Sequence, residues 1–175
     1  MTYFAPYLEY DRQGNPKPFS LVRSDDFQAV LTGTDGRDVL IGKGTLNHFR
    51  GDPNGVAAHD VLVGGDGVDV FIFSALPSRP PQADTILNYD PSGPRPGVGG
   101  DFIDLSQIFP DAAHGELSAD AFRKGKVAKD AEDRVLYDRK TGTVRVDVDG
   151  VGGADAVKLF VLTDKPKIDH HDFMI

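Results

Sequence analysis

Between residues 33 and 72 short apolar bursts recur in units that open on Gly, carry Asp or Asn five places on, and place an apolar side chain two places after that. Gly64-Gly65-Asp66-Gly67-Val68-Asp69-Val70-Phe71-Ile72 fits the pattern G-G-x-G-x-D-x-U-x, with U apolar, at every place. Gly33-Thr34-Asp35-Gly36-Arg37-Asp38-Val39-Leu40-Ile41 departs from it only at Thr34. In residues 42–50 Asn47 takes the Asp place and Phe49 the apolar place, and residues 51–63 end in His59-Asp60-Val61-Leu62-Val63 with four extra residues before them. Unit starts at 33, 42, 51 and 64 predict four stacked coils, each a tight turn plus a short strand, with one bulging insertion.

The remaining pattern is also strand-like. Residues 83–87 repeat the D-x-U signature through Asp84 and Ile86, residues 101–105 alternate, and three further strands are expected at 134–137, 143–148 and 157–162, the first two joined by a turn at 138–142. A loop is expected at 91–100 and a short helix at 117–122. Upstream, residues 1–30 read as an N-terminal cap with one or two short strands and a turn of helix near residues 24–28, where Ser24 suits an N-cap. The fold class is all-β, divided into a cap (1–30), a repeat region (31–90) and a C-terminal β-rich region (91–175).

Composition sharpens this picture. Among 27 acidic residues 24 are Asp and only 3 are Glu, alongside 20 Gly and 12 Pro. Asp favours turns over helices and strands, and its short carboxylate reaches a hard cation close to backbone carbonyls. The net charge of −8 argues against a nucleic-acid partner, which needs a basic face. With 0 Cys there is no disulfide or thiolate site, so bound ions and packing must supply stability. No apolar run reaches the roughly 20 residues of a membrane helix, and residues 1–11 lack the form of a cleaved secretory signal.

A single nine-residue coil cannot bury its apolar face, so coils must stack. Stacking aligns their turns, where Gly permits tight bends and the Asp side chains form rows. Carboxylates in rows repel unless a cation joins them, and calcium, which takes six to eight oxygen ligands, suits such a cage. Asp38, Asp60 and Asp69 are therefore the expected ligands, with turn capping through side-chain hydrogen bonds as the competing role.

These units resemble the calcium-binding nonapeptides of the repeats-in-toxin (RTX) family. The segments Asp69-Val70-Phe71-Ile72-Phe73-Ser74, Ala83-Asp84-Thr85-Ile86 and Asp101-Phe102-Ile103-Asp104-Leu105-Ser106 resemble the C-terminal region shared by serralysin-type proteases and other type I secretion substrates. The terminal Asp172-Phe173-Met174-Ile175 is similar to the acidic-then-apolar tail of such substrates. The resemblance implies a short parallel calcium β-roll over residues 31–90, each Ca2+ shared by coils two apart. On this chain that pairs Asp38 with Asp60 and Asn47 with Asp69, with Asp84 closing a site beside Asp60. Carbonyls of Gly33, Asp35, Gly64 and Gly67 complete the cages, and Gly36 and Gly65 of the same turns are counted with them as metal-site residues. Lys43, Thr45 and Asn47, with the insertion after Gly51, interrupt the pattern in the middle coils. The resemblance further implies an extracellular, calcium-binding protein that folds after type I secretion, its exporter reading residues 172–175.

Competing readings rest on other residues. Tyr3, Tyr7 and Tyr10 would serve a calcium-dependent polysaccharide-binding module, or pack as a cap over the open end of the coils. The chain also reads as the detached C-terminal domain of a larger secreted enzyme or adhesin, although Met1 and the cap favour a complete small protein. The segment Asp147-Val148-Asp149-Gly150 resembles part of a calcium loop but lacks the bidentate Glu of an EF-hand and is expected to be a solvated turn. His170 and His171, with His48 and His59, show no zinc-binding spacing, and exposure in a tail accounts for the first two. No nucleophile elbow or phosphate loop is present, so no catalytic residue is expected.

Overall fold

The computed structural model describes residues 12–13, 20–26, 28–34, 38–51, 59–77, 83–91 and 99–175. Among them the protein is built of strands: β1 (Ser20–Ser24), β2 (Gln28–Thr32), β3 (Asp38–Gly42), β4 (Leu46–Arg50), β5 (Val61–Val63), β6 (Val68–Ile72), β7 (Asp84–Leu87), β8 (Phe102–Asp104), β9 (Phe122–Lys124), β10 (Val135–Asp138), β11 (Thr143–Val146), β12 (Val157–Leu162) and β13 (Phe173–Met174). The only helical pieces among the described residues are two 3-10 turns, Ala119–Ala121 and His170–Asp172.

From β1 to β8 successive strands alternate between two sheets, and β9 to β12 all join the first. One has the order β1-β3-β5-β7-β12-β11-β10-β9, the other β13-β8-β6-β4-β2. From β1 to β8 every pairing joins strands two apart in the chain and runs parallel. The antiparallel part is the β10-β11-β12 meander. Its first hairpin turns through Gly142, whose φ of 74° suits a residue without a side chain.

Register explains why the repeat folds this way. The apolar place of each unit stacks on its counterpart, giving one column Val22, Leu40, Leu62, Ile86 and Leu162 and a facing column Leu31, Phe49, Phe71, Ile103 and Phe173. All but Val22 are buried, and they belong to one continuous hydrophobic core. The Phe49 and Phe71 rings stack with centroids 4.9 Å apart and planes 8° from parallel, one strand spacing. Burying each such side chain contributes about 1.5–3 kcal/mol. Side chains on the other face of the first sheet, Val39, Val61, Val63 and Leu87, form a second small cluster.

Two local expectations differ from the structure. The turn of helix expected near residues 24–28 gives way to strand at both ends: Ser24 ends β1, where its hydroxyl accepts from the Asp26 backbone N–H at 3.1 Å, and Gln28 opens β2. β1 and β2 then extend both sheets by one coil ahead of the repeat. The helix expected at 117–122 is reduced to the turn Ala119–Ala121, because Leu117 N–H is held by Phe173 O at 3.0 Å and Phe122 opens β9. Residues 91–175 contribute β8, β12 and β13 to the same two sheets as the repeats, so they share one core with residues 31–90.

Candidate metal centre

Each unit's Asp place lies where a turn enters a strand, and the two-sheet alternation sorts these residues into two rows. Asp38, Asp60 and Asp84 lead into β3, β5 and β7, and Asn47, Asp69 and Asp101 lie at β4, β6 and β8. All six are buried.

Both rows share a single hydrogen-bond rule. The carboxylate of one coil accepts the backbone N–H of the equivalent residue one coil earlier in its row. Asp60 Oδ1 accepts from Asp38 N at 2.9 Å and Asp84 Oδ1 from Asp60 N at 3.0 Å. In the second row Asp69 Oδ1 accepts from Asn47 N at 2.9 Å and Asp101 Oδ1 from Asp69 N at 2.8 Å. The second oxygen closes the turn on its own coil: Asp38 Oδ2 accepts from Thr34 N at 2.7 Å, and Asp69 Oδ2 from Gly65 N at 2.7 Å. Asp101 Oδ2 accepts from Asp90 N at 2.9 Å. Turn capping and row formation are thus performed by the same carboxylates.

The glycines fit around these oxygens. A Cβ on Gly33 would lie 2.7 Å from Asp38 Oδ2, and one on Gly64 would lie 2.9 Å from Asp69 Oδ2. A Cβ on Gly65 would meet Gly44 O at 2.9 Å and Gly42 O at 3.0 Å, the carbonyls of the turn stacked beneath it. Gly67, at φ 99°, lies against the Thr45 carbonyl, which accepts from Val68 N at 2.8 Å. Asp35 and Gly36, and with them the Asp35 carbonyl expected as a ligand, lie outside the described residues. So do Tyr3, Tyr7 and Tyr10.

Electrostatics place a strain on the second row. Burial pushes the Asp69 carboxyl above its ordinary range. Burial, reinforced by the Asp69 and Asp90 charges, lifts Asp101 to about 7 despite its backbone hydrogen bonds. Asn47 relieves its own step, because Nδ2 donates to Asp69 Oδ1 at 2.8 Å and to Gly44 O at 3.2 Å. Asn47 Oδ1, wholly buried, finds no donor among the described residues. A carboxylate offers about four lone-pair sites, so oxygens already holding an N–H keep capacity for a cation. Buried carboxylates, an orphan amide oxygen and turn carbonyls offer oxygen donors only, the ligand type that hard cations take.

The structure brings Asp38 beside Asp60, Asp60 beside Asp84 and Asn47 beside Asp69, and it adds Asp101. That residue carried a signal in the sequence, since Asp101-Phe102-Ile103 is another D-x-U triplet. The Asp147 and Asp149 carboxylates instead close their own loop: Asp149 Oδ2 accepts from Gly153 N and Ala154 N at 2.9 and 3.1 Å, and Asp147 Oδ1 from Asp149 N at 3.3 Å. The tail is not the exposed segment expected from sequence. Phe173 is 0% and Asp172 2% exposed, because β13 pairs in parallel with β8 and Phe173 caps the aromatic column. No helix among the described residues is long and apolar enough to cross a membrane.

In sequence comparison no protein-family model matches the chain, and neither does any curated protein.

Proposed function

We propose that the chain is a calcium-dependent parallel β-roll of the repeats-in-toxin kind, acting by binding rather than catalysis and folding outside the cell after type I export. The observation that carries this reading is the pair of buried rows, Asp38-Asp60-Asp84 and Asn47-Asp69-Asp101, in which each carboxylate reaches the coil before it. Such rows oppose folding in the absence of a cation, so ion binding and folding become one event. In calcium-poor cytosol the turns stay open and the chain can be threaded; in an extracellular calcium concentration the rows close. Extracellular sites of this kind need dissociation constants of only about 10⁻⁴–10⁻³ M.

Burial of Asp172 and Phe173 in the folded state agrees with this order of events. An exporter can read residues 172–175 only before β13 docks. The test is calorimetry of the metal-stripped chain against Ca2+, with far-UV circular dichroism at both end points. Binding of about two or three ions with a coil-to-strand change is expected. Identical spectra and melting curves with and without a calcium chelator would overturn the reading.

A further inference from the structure

Among the described residues one group of three potential metal ligands converges within 4.8 Å, and it is not in the Asp rows: Glu116, His170 and His171. We propose that these three side chains form a second metal site, specific for a borderline divalent transition ion of the zinc class.

The backbone of all three ligands is held by buried structure. Glu116 bridges Met174, between the reciprocal Gly115–Ile175 hydrogen bonds of 2.8 and 2.9 Å and the bond from Leu117 N to Phe173 O. The two histidines occupy the 3-10 turn His170–Asp172, whose ends are locked by a capping box. Asp169 accepts from His171 N at 3.0 Å, and Asp172 Oδ2 accepts from Asp169 N at 2.8 Å. Asp172, itself buried, also accepts from Tyr89 Oη.

Both imidazoles aim at the same carboxylate oxygen. His171 Nδ1 lies 2.5 Å from Glu116 Oε1, and His170 Nε2 lies 3.6 Å from it. A simple ion pair needs one histidine. Here a second ring stands 3.9 Å from the first, so both imidazoles are in place for one shared cation. Metal–nitrogen and metal–oxygen bonds of about 2.0–2.2 Å set ligand atoms of a tetrahedral site about 3.4 Å apart. The 3.6 Å separation already fits, and the His171–Glu116 contact opens by about 1 Å when an ion takes the place of its proton. If His170 binds through Nε2, its Nδ1 is left on the side of Asp169, whose Oδ1 lies 4.0 Å away, beyond hydrogen-bond distance. Two nitrogens and one carboxylate favour zinc, nickel or copper over calcium. The partly exposed position leaves a fourth coordination place for water.

Bound there, the ion ties residue 116 to residues 170–171 and pins β13 in its sheet. The test uses the full chain in calcium-saturated buffer, so its outcome does not depend on the calcium reading. Zn2+ is titrated by calorimetry and Co2+ by visible absorption. One equivalent of Zn2+ is expected, with a d–d band for Co2+ typical of four- or five-coordination. His170→Ala and His171→Ala should each weaken Zn2+ binding at least tenfold, Glu116→Gln should abolish the rise in melting temperature that Zn2+ gives, and His59→Ala should change neither. Ring resonances of His170 and His171 in the unsubstituted protein should shift on Zn2+ addition, a readout independent of variant folding. Absence of stoichiometric uptake, or uptake that survives loss of both histidines, would overturn the proposal and leave a His171–Glu116 ion pair only.

Discussion

The Tyr89 hydroxyl donates to Asp172 Oδ1 at 3.1 Å across 83 residues of sequence. The same hydroxyl lies 3.1 Å from the Asp101 carbonyl, so the last coil of the second row and the C-terminal turn meet on one buried proton. Burial, with the Asp172 and Asp101 charges, raises the Tyr89 hydroxyl well above its ordinary range and keeps it a donor. Tyr89→Phe removes a hydrogen bond to a buried charged group and is expected to cost about 1.5–3 kcal/mol in denaturant unfolding. Amide exchange at Phe173 and Met174 should accelerate in the variant; an unchanged tail would mean that β13 is held by its sheet alone.

Asn47 stands where the repeat has Asp, and Asn47→Asp should change sign with calcium. Without the ion the substitution replaces the Nδ2 hydrogen bond to Asp69 by a second buried carboxylate, lowering the residual folded fraction. In the proposed calcium state the added charge strengthens the site, raising both affinity and melting temperature. Far-UV circular dichroism without calcium and thermal melts with it check this, and destabilisation of the variant under both conditions would argue against an ion between these coils.

Without metal, the residual folded fraction of the chain should shrink as pH rises. Asp101 titrates at about 7 in the folded protein against 3.8 ordinarily. Between these values the native state holds a proton that the unfolded chain has released, so unfolding becomes easier as pH climbs through the window and levels off above it. Asp69 shifts in the same direction. The far-UV strand signal of the stripped protein should fall between pH 4 and 7, less steeply in Asp101→Asn, and a gain over that range would contradict the burial of this carboxyl.

Phe71 sits between Phe49 and Ile103 in the second column and touches Tyr89, with centroids 5.9 Å apart. Phe71→Ala should cost about 3–5 kcal/mol, because neighbours on both sides are fixed by strand pairing and cannot collapse into the cavity. Chemical denaturation measures this directly. Val30→Ala, at a side chain 77% exposed, should cost little by comparison.

Much of the architecture was already determined by the chain's local pattern. Gly at the turns, Asp or Asn before each strand and an apolar side chain two places later define a coil, and coils of this kind can bury their apolar residues only by stacking. Hence the columns through Leu40 and Phe49 follow from the pattern, whereas the pairing of Asp38 with Asp60 and of Asn47 with Asp69 was implied by the resemblance to repeats-in-toxin units, in which alternate coils are neighbours. Tertiary structure decided what spacing cannot express. β1 and β2, whose residues carry no repeat, join the sheets because Val22 and Leu31 meet the ends of both columns. The buried tail and the union of Glu116 with His170 and His171 have no local signature, since each depends on a return of the chain across more than 50 residues. Which distant segment closes the end of a stack is chosen by the fit of side chains such as Phe173 and Tyr89, and that fit exists only once the coils have assembled.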